Sequence, residues 1–516
     1  QAALDGGAVA TPNEFKNAFF DLKNISFVNN IAGGKGGAIR ASGIQTAIQI
    51  YDSTFRGNKA DSGGAVSIDS SASLQMFRIS AFDNIAQNGD GGFLFARFTL
   101  PMLLSDVSIK RSSTSNDGGG GAVAVYSSHI ALERSSAQNC HTGKRGGGAL
   151  LLDGEAVAHL LDVVLDNNTA PSSGGQIRVT ASTLIVHSKD ALLTWPSKEP
   201  VFPKEQTLVA TNLSALTRGS TAVSGGAISC IASSSGGAKV LSVYDKTMDC
   251  HQSVSYQYRT SSNAPMQYAC PSKGVFLGKG VRLENSVAVN GGGSVSAFLC
   301  SVDMVGTTII NSTTQTGDGG AVLLSLDSTL RVDDNTTFKN NMAAAGSGGA
   351  ISCQGCGSTE FTGSTEFSAN MAGSSGGAVH LNSPKAPVIS ANTVFVDNTA
   401  TTNGGAVDSH HGDWTSLGDR FESNVAVAGS GGAFSSFTST VRFDTTTSCR
   451  KNKALQGGGG CLLWEPKAEN LEDGKWKTLE PMIESVSLMV DNEAAYGTSL
   501  ATPGASLVPV EDTSTR

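Results

Sequence analysis

The chain is written in short alternations of apolar and polar residues. After each Gly-Gly-Ala the apolar residues take every second position, as in Val66 and Ile68, Val123 and Val125, or Val379 and Leu381. A second alternating run follows: Ile48 and Ile50, Ile130 and Leu132, Leu330 and Val332, Val441 and Phe443. Period two over such short runs predicts strands, and no stripe at helical period competes with it.

The runs recur. "FRGNKADSGGAVSI" from Phe55 has the outline of "FVNNIAGGKGGAIRA" from Phe27 and "FVDNTATTNGGAVDS" from Phe395. The first Gly of each pair falls at Gly6, Gly36, Gly63, Gly91, Gly120, Gly147 and Gly174. Then come Gly225 and Gly292, followed by Gly319, Gly348, Gly376, Gly404, Gly431 and Gly459. Within the regular blocks the spacing is 27 to 30 residues. A fixed period of this size predicts a solenoid. Three short strands with turns use up one period. The expected fold is therefore all-β: a parallel β-helix of three sheets and about sixteen coils, a rod on the order of 75 Å long at roughly 4.8 Å per coil.

Stacking places equivalent residues above one another. Phe55, Phe338, Phe367, Phe395 and Phe421 are expected as an internal column of rings. Asn58, Asn341, Asn370, Asn398 and Asn424, three residues later, are expected at a turn, where an amide bonds backbone and its neighbours in the column. Gly-Gly supplies a bend with positive φ. Asp5, Asp90, Asn290, Asp318 and Asn403 beside it suit Asx-turns. Leu165 and Cys449 replace Phe, Cys449 as a small buried apolar residue. The Phe82-to-Asn84 gap is one residue short, which predicts a bulge or a register shift.

The period divides the chain into regular coils at 1–193, irregular coils with projecting loops at 194–291 and regular coils again at 292–464. A charged insertion at 465–481, a closing coil at 482–503 and a tail at 504–516 follow. Pro196, Pro200 and Pro203 exclude a central strand there.

Composition narrows the function. Charged residues are 16% of the chain, net charge is −8 and no basic run occurs, so nothing points to nucleic acid. No apolar stretch reaches the roughly 18 residues of a membrane span. The start at Gln1, without Met, leads us to expect a mature or trimmed product. Of nine cysteines, Cys250 and Cys270 bracket a Tyr-rich loop with Tyr256, Tyr258 and Tyr268 and are disulfide candidates; Cys353 and Cys356 can close a small loop. A metal or redox reading of "CQGC" lacks a second ligand pair, so no metal and no cofactor is expected. Sequons stand at Asn24, Asn167, Asn212, Asn311 and Asn335. With bridgeable cysteines they favour an extracellular or cell-surface glycoprotein.

The pair F-x-x-N and G-G-A-[IV] resembles the repeat of the chlamydial polymorphic outer-membrane proteins, variants of which occur in surface proteins of eukaryotic microbes, where the array often closes with a segment similar to "AAYGTSLATPG" here. The resemblance implies a pectin-lyase-like right-handed β-helix at a cell surface, used for adhesion or as a structural rod or filament subunit. It brings no catalytic residues.

Because many β-helices are polysaccharide lyases or hydrolases, an enzyme is the competing expectation. Counting four past the first Gly gives outward positions Ser352, His380, Asp408 and Ser435, with His380 and Asp408 one coil apart. His410, His411 and Asp413 adjoin them, and Arg420 is the nearest cation. A glycosidase needs paired carboxylates and a lyase needs a base beside a cation; the plain alternative is a solvated rim cluster. The expected partners are glycans, other extracellular proteins, or further copies of the chain joined end to end or side by side.

Overall fold

The computed structural model describes residues 6–11, 18–43, 46–70, 72–187, 216–218, 221–232, 257–259, 265–267, 274–465, 482–484 and 488–502. Among them the regular structure is strand, paired almost throughout in parallel. The chain is a parallel β-helix. One face is a sheet of sixteen strands, from Val9–Ala10 to Leu500–Ala501, contributed in most coils by the residues after the Gly-Gly pair. The second face is a sheet bent along its length, to which most coils add two strands, such as Ala47–Tyr51 and Thr54–Arg56, and two coils add one long strand, Ser73–Phe82 and Met102–Lys110. The third face is narrow, with two-residue strands such as Met371–Ala372 and Thr399–Ala400.

A coil thus holds four strand segments rather than the expected three. The bend in the second sheet is made by a corner residue in the left-handed region, such as Asp52 (φ 48°) or Arg78 (φ 54°). The first face carries a strand at each of sixteen coil positions, while the turns number about 13, somewhat fewer than the sixteen coils expected. The first and second faces run along the rod without a break, while the third pairs in separate blocks of three and nine strands.

The Phe positions align in one column, but the rings form two stacks. Phe338, Phe367, Phe395 and Phe421 stack at 4.8, 5.0 and 4.8 Å between centroids, and all are fully buried. Phe55 belongs to a separate pair with Phe27, at 4.7 Å. Between the stacks the column holds smaller side chains, including Ala81, Ile109 and Leu165. The bulge expected at Phe82 does not form. Phe55 pairs with Ala81 in unbroken register, so Ala81 keeps the three-residue step to Asn84, and Phe82 falls on the outer side. The space left by the small Ala81 is taken by Phe93, whose ring meets Phe55 edge-on at 5.6 Å.

The two glycines of the repeat have different duties. Gly376 has φ +67°, and a Cβ there would lie 2.3 Å from the Val379 carbonyl oxygen. At Gly377 a Cβ would lie 2.0 Å from the carbonyl oxygen of Gly405 in the next coil. The first makes the bend; the second allows coils to approach. The acidic and amide residues just before the pair do not close their own turns as expected. Asp318 Oδ1 accepts from Ser347 N at 2.7 Å and Asn403 Oδ1 from Ser430 N at 2.9 Å, each stitching the arm of the following coil. Asp5 lies outside the described residues.

Candidate functional site

The first Gly turns the preceding arm back over the outer side of the sixteen-stranded sheet. Outward residues four past that Gly therefore lie in a crease, not on an open face. Ser352, His380, Asp408 and Ser435 pair in succession down this crease. Ser352, Asp408 and Ser435 are fully buried, which corrects the expectation of a solvated rim.

Asp408 is the centre of the cluster. Its Oδ2 lies 2.9 Å from His380 Nδ1 and 3.1 Å from His410 Nε2, and its Oδ1 accepts from the Ser435 hydroxyl. Burial alone would push the carboxyl up. The hydrogen bonds from His380 and His410 and their charge outweigh it and hold Asp408 below the usual carboxylate range. The hydrogen bond to Asp408 in turn raises His410 against the opposing effect of burial. The His410 ring also stacks on Phe437, with centroids 4.7 Å apart.

This geometry pins side chains and offers little for catalysis. Asp408 is enclosed and already accepts three hydrogen bonds, so it is not placed to take a proton from a substrate. The order Asp408, His380, Ser352 has the sequence of acid, base and nucleophile. However, Ser352 is fully buried, and its hydroxyl has no hydrogen-bond partner, His380 included. The two imidazoles share one carboxylate oxygen, with rings tilted by 59°. Among the described residues no group of three or more His, Cys, Asp or Glu side chains is arranged to hold a metal.

His411 and Asp413 do not join the cluster. His411 is an exposed corner residue with φ 55°, bonded through Nδ1 to the Thr438 hydroxyl. Asp413 Oδ1 accepts from Thr440 N at 3.0 Å, tying one coil to the next. Arg420 is on the bent sheet and pairs with Glu422 at 3.3 Å.

The remaining expected positions fall as follows. Asn24, Asn167, Asn311 and Asn335 are exposed corner residues with φ between 51° and 59°. Asn212, Cys250, Cys270, Tyr256 and Tyr268 lie outside the described residues. Within the expected loop, Gln257–Arg259 pairs antiparallel with Pro265–Gln267. Cys353 and Cys356 are disulfide-bonded. Cys449 does occupy the Phe column, opposite Phe421, but it is bonded to Cys461 rather than being a free apolar filler. A bridge that the sequence reading missed joins Cys230 to Cys300 across the irregular region. Cys140 is a free, buried thiol, pushed up to about 12 by burial.

Also missed were charge ladders along the corners. Arg78 embraces Asp52 at 2.6 and 2.9 Å, Arg134 embraces Asp106 at 3.0 and 2.9 Å, and Arg111 embraces Asp83 at 2.7 and 3.1 Å. Partners stand 26 to 28 residues apart, so the signal was opposite charge at one period.

Two segments, 24–42 and 335–354, match the model of the Chlamydia polymorphic membrane protein repeat. Each spans an F-x-x-N and a Gly-Gly-Ala-Ile, that is, the Phe strand, the Asn of the amide column and the glycine corner of one coil. The chain therefore carries repeats of this kind on a β-helix. A comparison with curated proteins finds no match. Among the described residues no helix is long and apolar enough to cross a membrane; this leaves strand-built spans unaddressed.

Proposed function

We propose that the chain is an extracellular, non-enzymatic rod at a cell surface, serving as a structural or adhesive element. The observation that carries this reading is the unbroken stacking of Phe367, Phe395 and Phe421 with Asn370, Asn398 and Asn424 in coils of the polymorphic membrane protein type. Such a stack gives stiffness and a long regular flank, and the strongest polar cluster on it is closed. Three disulfides among the described residues suit an oxidising compartment, and the exposed sequons at Asn24, Asn167, Asn311 and Asn335 are the proposed glycan acceptors. Its partners are glycans, other extracellular proteins or further copies of the rod.

Intact source cells labelled with a membrane-impermeant reagent and imaged with an antibody against the chain test this. Labelling without permeabilisation is expected. Labelling only after lysis overturns the reading.

A further inference from the structure

The rod has a second crease, on the N-terminal part of its narrow face. A trough of about 400 Å³ is lined there by Lys59, Ile85, Gln87, Asn88, Ser115 and Asn116, a volume within the usual range for ligand sites of about 300–1,000 Å³. Its floor is the outer side of the short strands Lys59–Ala60 and Ile85–Ala86. Its wall is a ladder from three successive coils, made of the Asp61 carboxylate and the Asn88 and Asn116 amides. Asn88 Nδ2 donates to Asp61 Oδ1 at 2.7 Å, and Asn116 Nδ2 donates to Asn88 Oδ1 at 3.1 Å and to the Gln87 carbonyl at 3.0 Å.

The ladder fixes those amides before any ligand arrives. Three neighbours remain uncommitted. Among the described residues the Lys59 ammonium, the Gln87 side-chain amide and the Ser115 hydroxyl have no hydrogen-bond or ion-pair partner. The residues lining the trough include one cation and no acid, and the Asp61 carboxylate at the end of the wall is held by Asn88 Nδ2. Fixed amides, a free hydroxyl, an aliphatic floor and an unpaired ammonium are the groups that recognise a hydroxyl-rich chain bearing an anionic substituent. The wall repeats once per coil, at about 4.8 Å, close to the advance of one sugar ring along an extended chain.

We propose that this trough binds a linear acidic glycan laid along the rod axis. Its carboxylate or sulfate sits against Lys59, and its hydroxyls bond Gln87, Ser115 and the Asn116 carbonyl oxygen. The proposal gives the adhesive reading a ligand, and depends on that reading only for where the polymer is met. Binding is measured on the purified chain, so its failure leaves the surface location untouched.

The test is titration calorimetry of the full chain with short uronic-acid oligomers, sulfated oligomers and neutral oligomers of the same linkage. Acidic oligomers are expected to bind at least tenfold more tightly than neutral ones, and the preferred arm tells carboxylate from sulfate. Lys59→Gln should abolish the preference for acid, and Gln87→Ala should weaken all binding by threefold or more. Both positions are on the surface, and unchanged melting temperatures will show intact folding. Lys144→Gln, which removes a nearby exposed charge paired with Asp117, should change nothing. Absence of binding, equal binding of neutral oligomers, or equal losses in Lys59→Gln and Lys144→Gln would overturn the proposal.

Discussion

Asn398 Nδ2 donates to Asn424 Oδ1, one coil on, at 2.9 Å, and to the Phe367 carbonyl, one coil back, at 3.0 Å. Asn398 Oδ1 accepts from both the backbone and the side chain of Asn370 at 3.0 Å. One buried amide therefore joins three coils. Asn398→Ala takes these partners from the Phe367 carbonyl and the Asn370 backbone N–H, at about 1–3 kcal/mol each. Denaturant unfolding should show a loss of roughly 2–4 kcal/mol by the same reckoning. A loss no larger than that of the exposed corner variant Asn392→Ala would contradict the joining role.

The Phe and Asn columns could be read in advance because they follow from period alone: Phe367 and Asn370 recur in every coil around them. The contact of His380 with Asp408 was also readable, by counting from Gly376 and Gly404. The burial of Asp408 was not. It depends on the arm that Gly404 folds back over the sheet, a three-dimensional consequence of one positive φ. His411 and Asp413 looked like cluster members because they are adjacent in sequence, yet they sit past the strand end at a corner. Cys230 and Cys300 meet because two coils stack across the irregular region, and nothing local marks them. Ala81 misled because Phe82 beside it suggested a shifted register, whereas volume was restored from Phe93.

The two glycines separate experimentally. At Gly377 an added methyl group meets backbone of the neighbouring coil, which has no rotamer with which to yield. Gly377→Ala is expected to yield little soluble protein, or a melting temperature lowered by ten degrees or more. Gly355, by contrast, has open space around its would-be Cβ despite φ +61°, so Gly355→Ala should cost only the backbone strain, about 1–2 kcal/mol. Equal effects of the two substitutions would refute the inter-coil contact.

The Cys230–Cys300 bridge closes a separation of 70 residues. By the chain-entropy model such a loop is worth about 4 kcal/mol, and the Cys353–Cys356 bridge, with a separation of 3, much less. Cys230→Ser with Cys300→Ser should lower the unfolding midpoint clearly more than Cys353→Ser with Cys356→Ser. The reverse order would show that the bridge does not hold the coils together.

The buried cluster makes stability depend on pH in two directions. Asp408 is depressed, so its contribution is present above the ordinary carboxylate value near 4 and lost as pH falls through its folded value. His410 is raised, so its contribution is present below the ordinary imidazole value near 6.5 and lost as pH rises through its folded value. The cluster therefore stabilises most between about pH 4 and 6.5. Melting temperatures of wild type and Asp408→Asn should differ most at pH 5 to 6 and converge towards pH 8 and pH 2. A constant difference across that range would remove the ion pair from the account.

The enclosure of Asp408 and Ser352 also predicts no turnover. Purified chain incubated with uronate and neutral polysaccharides should release no new reducing or unsaturated ends. Release that disappears in His380→Ala would restore the enzyme.

Stacking coil on coil is tested most directly by distances along one column of exposed residues. Arg56, Lys339 and Arg450 occupy equivalent outer positions. Arg56 and Lys339 are about eight strand steps apart and Arg56 and Arg450 about twelve, or roughly 38 and 58 Å at the spacing of neighbouring strands. Pulsed electron-spin distances between labels at these positions should give both values, growing in proportion to the number of coils. Distances that saturate, or that fall well below this line, would contradict a rod.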